Sequence, residues 1–175
     1  MEGMINTGEI RAASCTICDR REFLRCILTI SREINAHIIC FDADKMAGIE
    51  HARVAVSRAV RSFNAGCRIA NTLEMEALLY AAGSRQTSVG SLFGIHEGEN
   101  NMYISCCPCR EGVWELLSPM MRFFDEVDPW DAIDPEKAVN LMKLFDILPK
   151  ELSTLSCQTL QDLVLERVAL LDSFR

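Results

Sequence analysis

A chain of 175 residues, 49% apolar and 25% charged, can bury a core without disulfide or metal staples and is too apolar for wholesale disorder. Its net charge of −7 argues against generic coating of nucleic acid, and no apolar run approaches the roughly 20 residues that span a membrane. The expectation is one soluble, cytoplasmic α/β domain over residues 1–175, a small mixed β-sheet packed with helices; Met1 to Gly8 has neither the basic nor the apolar segment of a secretory leader.

Glu9 to Ile17 has the short, β-compatible look of a strand, and Asp19 offers an N-cap. From Arg20 to Asn35, Phe23, Leu24, Ile27, Leu28, Ile30 and Ile34 recur at near-helical spacing. Ala36 to Asp42 is a continuous apolar run of the kind buried on both faces, which completes a β-α-β start. After a turn, Ile49 to Ala65 forms a helix that Gly66 can close in the left-handed conformation. Ala52, Ala55, Val56, Ala59, Val60 and Phe63 fill one arc of it; Arg53, Ser57, Arg58 and Arg61 fill the opposite one. No acid lies between Glu50 and Glu74, so this arginine face is expected to lack neutralising partners along the helix.

Asn71 followed by Glu74 reads as a reciprocal N-cap ahead of Met75, Leu78, Leu79 and Ala82. Gly83 then closes that helix, and Ser84 can cap a second one running from Arg85 to near Gly94. Two helices meeting at such a corner would aim free backbone N–H groups and a positive dipole end past Arg85 and Gln86, a ready anion site. Glu97 to Asn101 reads as a turn and Met102 to Cys106 as a strand. Val113 to Phe124 comes next as a helix that Pro119 interrupts, then Asp125 to Asp134 as an acidic loop. Helices from Asp134 or Pro135 through Phe145 and from roughly Thr159 to Ser173 complete the chain.

Charge is unevenly placed. Residues 45–96 carry six bases against three acids, a balance of +3, while residues 111–175 carry thirteen acids against six bases, a balance of −7. The first region is built to meet anions, Arg58, Arg61, Arg68 and Arg85 foremost. In the last helix Leu160, Leu163, Val164, Val168, Leu170 and Leu171 span a wide arc, with Leu165 outside it, more apolar surface than one core face needs. Part of that helix is therefore a candidate partner surface.

Two readings of the nine cysteines compete with this picture. Cys106-Cys107-Pro108-Cys109 has the spacing of a thiol-disulfide oxidoreductase, and Cys15 and Cys18 together with Cys106 and Cys109 could form a four-thiolate zinc site in an interaction module. His37, His51 and His96 are isolated, with no metal-ligand spacing, and no phosphate-binding loop, dinucleotide fingerprint or nucleophile elbow occurs. The chain is expected to be no enzyme, with no catalytic residues, cofactor or metal.

The run Asn71-Thr72-Leu73-Glu74-Met75-Glu76-Ala77-Leu78-Leu79-Tyr80-Ala81-Ala82-Gly83-Ser84-Arg85-Gln86, Gly94-Ile95, and the ending Leu163-Val164-Leu165-Glu166-Arg167-Val168-Ala169-Leu170-Leu171 resemble archaeal PRPK-binding proteins, the small accessory subunit of the KEOPS complex. The likeness covers nearly the whole chain in element order. The segment Cys106 to Cys109 and the acidic loop near Trp130 stand outside the family pattern. The resemblance implies a non-catalytic subunit that binds the kinase-like ATPase subunit directly and meets the transferase and small dimerising subunits only through the complex. It also implies recruitment of tRNA by its single-stranded 3′ CCA end for threonylcarbamoylation of adenosine 37. The matching corner assigns RNA contact to Asn71, Ser84, Arg85 and Gln86; charge adds Arg58, Arg61 and Arg68. Tyr80 or Phe93 would offer a stacking surface. Partner contact falls to Leu160, Val164, Leu165, Val168 and Leu171.

Overall fold

Residues 8–125, 128–154 and 159–174 are described by a computed structural model; the expectations for residues 1–7 and for residues 126 and 127 of the acidic loop lie outside them. Four strands, β1 (Glu9–Ile17), β2 (His37–Asp42), β3 (Gly98–Cys107) and β4 (Arg122–Phe124), form one sheet in the order β2-β3-β1-β4. Every neighbouring pair is antiparallel. The chain is thus mixed α/β as expected, but its sheet is antiparallel, not mixed. β1 and β2 run the same way, as a β-α-β start requires, and β3 is inserted between them.

The first connection is helix α1 (Arg20–Ile34), begun by Asp19, whose carboxylate accepts from the Arg21 and Glu22 backbone N–H groups, and ended by Asn35 in the left-handed conformation. Helices α2 (Ile49–Asn64), α3 (Leu73–Ala82), a single turn α4 (Thr87–Gly90), α5 (Val113–Leu117), α6 (Pro135–Leu144), α7 (Pro149–Thr154) and α8 (Leu160–Leu170) come after it. Strand alternation sends Ala12, Ile39, Phe41 and Tyr103 into a core shared with α2, α3, α6 and α8. Ala13, Ile38, Met102 and Ile104 point the other way, into a second core under α1 and α5.

Three expectations are corrected. The helix expected over Val113 to Phe124 stops at Leu117; beyond Pro119 the chain becomes β4, pairing Phe123 with Ala13. β3 begins at Gly98, so the turn expected over Glu97 to Asn101 is mostly strand. Helix α7 was not anticipated, because six residues carry too little periodicity to register.

Candidate nucleic-acid interface

The buried face of α2 is as expected, with Ala52, Ala55, Val56 and Ala59 fully inside. Its arginine face is more neutralised than charge spacing suggests. Arg53 pairs with Glu50 at 2.5 Å, and Arg58 pairs with Asp172, which the chain delivers just after α8. Arg61 and Arg68 remain exposed and, among the described residues, outside any ion pair. The Arg68 guanidinium lies 5.3 Å over the Phe63 ring, which orients a cation at the surface without discharging it.

Between α2 and α3 the chain makes a tight loop. Gly66 takes φ +69°, which lets the Gly66 and Cys67 N–H groups bond back to Phe63 and Ser62. Glu76 fixes the rest. Fully buried, its carboxylate accepts from Ser62 Oγ at 2.7 Å, from Ile69 N at 2.8 Å and from Ala70 N at 2.6 Å. A buried carboxylate stays only where donors converge on it, so the loop bearing Arg68 and Asn71 is held from beneath. The N-cap of α3 is Thr72, not Asn71: Thr72 Oγ1 accepts from Met75 N at 3.2 Å. Asn71 is left exposed with its amide available to a ligand.

Asn71 opens onto a surface cleft of about 580 Å³ lined also by Thr72, Phe63, Arg32, His37 and Arg110. His37 Nδ1 lies 2.7 Å from Glu74 Oε1; that bond raises the imidazole pKa against the opposing effect of burial. Burial, the largest single influence, raises the Glu74 carboxyl, but the hydrogen bonds from His37, its own backbone and Thr72 together with the His37 charge outweigh it and leave the pKa lowered. Arg110 donates to the Asn35 carbonyl at 3.2 Å and so braces the cleft against the end of α1. Arg32, His37 and Arg110 were missed in the sequence because they come from three separate segments, and no spacing in the chain links them to Asn71.

The other half of the expected corner lies elsewhere. Gly83 closes α3 at φ +59° as anticipated. Past Ser84, however, the chain forms only the single turn α4 and a 3-10 turn, Ser91–Phe93, instead of a helix to Gly94. Ser84 Oγ accepts from Gln86 N at 3.2 Å and caps no extended helix, so the expected dipole end is not built. Arg85 and Gln86 are exposed, but the ten residues of α3 separate them from Asn71 by about 15 Å. Tyr80 and Phe93 are each 1% exposed and cannot stack on a base; Phe63, half-buried in the cleft, is the aromatic that can.

In α8, Val164 and Val168 are fully buried, and Leu171 just after it is nearly so, all in the core beside α2 and α3. They are core residues and not a partner surface. Leu160 and Leu165 are half-buried, and Leu170 is 43% exposed, so the outward apolar face is smaller than the sequence suggests.

The thiol chemistry is quiet. Burial raises the Cys106 and Cys109 pKa values, the opposite of an activated nucleophile. Cys15 opposes Asn100 and Glu9 opposes Cys106 in the β1–β3 ladder, so the two cysteine pairs sit at opposite ends of it, about 20 Å apart. Among the described residues no group of three or more His, Cys, Asp or Glu is placed to hold a metal ion, and no helix is long and apolar enough to cross a membrane.

Comparison of the chain with models of protein families and with curated proteins finds no match to either.

Proposed function

We propose that this chain is a non-catalytic KEOPS subunit of the PRPK-binding type, which binds the kinase-like ATPase subunit and recruits tRNA by its 3′ CCA end for N6-threonylcarbamoyladenosine formation at position 37. The resemblance over Asn71 to Gln86 and at the chain's end motivates the reading. The observation that carries it is the cleft beneath Asn71, where an amide, an aromatic face and the cations Arg32 and Arg110 converge beside the His37–Glu74 pair. Single-stranded RNA asks for those three things: polar groups for base edges, a ring for stacking and positive charge for phosphate. Arg68, over the Phe63 ring, adds charge beside the cleft, Arg61 adds it on the exposed face of α2, and Ser84, Arg85 and Gln86 are spaced to meet a more distant part of the same RNA.

The test is binding of one tRNA with and without its CCA end, to the wild-type chain and to Asn71→Ala and Arg68→Glu. Loss of the CCA end and loss of Asn71 should weaken binding in the same way and not additively, because they remove two sides of one contact. Equal affinity for both tRNAs sinks the end-recognition claim. Affinity should also fall as salt rises, less steeply in Arg68→Glu.

A further inference from the structure

Helix α1 presents a surface that its core does not use and that adjoins the cleft beneath Asn71, which Leu28, Ser31 and Arg32 also line. Ile27 turns toward the sheet and Phe23, Ile30 and Ile34 pack beside it, yet Leu24 and Leu28 stand 44% and 47% exposed. They form one wall of a groove of about 280 Å³, floored by Ile38 and Cys40 of the edge strand β2 and closed by Leu78 and Ile95. Arg20 lies in its wall. At about 100° per residue, Arg21, Arg25 and Arg32 fall in the sector immediately beyond Leu24 and Leu28, and Glu22 and Glu33 lie further round. All four arginines are exposed, and among the described residues none is held in an ion pair.

We propose that this groove docks an acidic amphipathic helix of a protein partner. The groove is aliphatic and has no aromatic ring on which a base could stack, which separates it from a single-stranded nucleic-acid site. Leu24 and Leu28 are one helical turn apart, and Arg21 and Arg25 repeat that step beside them. A helix laid alongside with apolar residues at i, i+4 and carboxylates on the flanking positions matches both rows at once. Within the groove the Glu74 carboxylate is already turned to His37, so the net charge offered to a ligand is positive. Charge complementarity of this kind selects and steers an acidic partner. The groove shares Leu28, Ser31 and Glu74 with the cleft beneath Asn71 and lies on a different face from α8.

The experiment pans a phage-displayed library of random peptides of about 15 residues, roughly four helical turns, against the full chain. Enriched peptides should carry acids beside apolar residues at i, i+4 spacing. They should lose about tenfold or more in affinity, roughly 1.4 kcal/mol, for Leu24→Gln/Leu28→Gln and separately for Arg21→Glu/Arg25→Glu. All four positions are exposed, and unchanged thermal melts of both variants establish that the loss is local. No enrichment, or enriched peptides that bind both variants as they bind the wild type, overturns the proposal. A single-stranded RNA of similar length that binds the wild type and loses affinity only with the arginine pair, while no acidic peptide competes, overturns it in favour of a nucleic-acid face.

Discussion

Tyr80 donates its phenol hydroxyl to Asp172 at 2.7 Å although 92 residues separate them, and Arg58 holds the other oxygen of the same carboxylate. The bond joins α3, α2 and the turn after α8, which gives two residues expected at the RNA surface a role in holding the chain's end. Asp172→Ala should destabilise the fold by about 2 kcal/mol, because it removes one acceptor from a largely buried hydroxyl and from a half-buried guanidinium. Denaturant melts measure it. The affinity of the folded protein for tRNA should not change; a large loss of tRNA binding in Arg58→Ala without loss of stability would return Arg58 to the RNA surface.

Glu76 permits a sharper separation of shape from charge. Glu76→Gln keeps one oxygen for Ile69 N and Ala70 N and can donate its amide to Ser62 Oγ, so it should cost about 1 kcal/mol. Glu76→Ala removes the carboxylate that the Ile69 and Ala70 N–H groups and Ser62 Oγ bond to, and should cost about 3 kcal/mol. If the loop is what presents Asn71, RNA affinity should decline in the same order, measured at a temperature where both variants are folded.

Helix α8 offers a test of surface against core. Val164→Glu places a charge where the side chain is fully buried, and should unfold the chain or lower its melting temperature by many degrees. Leu165→Glu or Leu170→Glu should leave the melt nearly unchanged. If α8 meets the kinase-like ATPase subunit, it is these two substitutions that should abolish copurification with it.

The His51 imidazole gives stability a pH dependence. Full burial lowers its pKa from 6.5 to about 4, partly offset by the bond from Nε2 to the Ala81 carbonyl. A depressed folded pKa means that the unfolded chain takes up the proton first. This contribution is therefore complete above pH 6.5 and is lost as the pH falls toward 4, an effect on the order of 3 kcal/mol. The His37 pair with Glu74 has two signs. The raised His37 pKa favours the fold below 6.5 and that help is lost as the pH rises, whereas the lowered Glu74 pKa favours the fold above 4.5 and is lost below it. His51→Gln should flatten the slope of melting temperature between pH 4 and 6.5; an unchanged slope assigns it to other groups.

Much of the fold could be read where one short stretch carries its own instructions. Asp19 before α1, Asp134 before α6 and Thr159 before α8 each cap the helix they precede, and Gly66 and Gly83 take the left-handed turns their positions suggest. What could not be read depends on distant segments. β4 needs the free edge of β1 to be a strand at all, and nothing within Arg122 to Phe124 announces that edge. The site divided along the same line. Arg68 and Asn71 were found as local features. Arg32, His37 and Arg110 join them only through the sheet and the end of α1, and Arg58 was lost to Asp172, a partner 114 residues away.

The strand order has a consequence for the chain's synthesis. β1 leaves the ribosome about 80 residues or more before both its neighbours, β3 (Gly98–Cys107) and β4 (Arg122–Phe124), and Trp114 reaches back 105 residues to the Glu9 carboxylate. The helical pair α2 and α3 can form on local information while β1 waits with two unsatisfied edges. Folding of the nascent chain therefore has a long interval in which Ile10 to Ile17 is an open template for any passing strand. The small residues that fill that stretch, Ala12, Ala13 and Ser14, make it a weakly adhesive one.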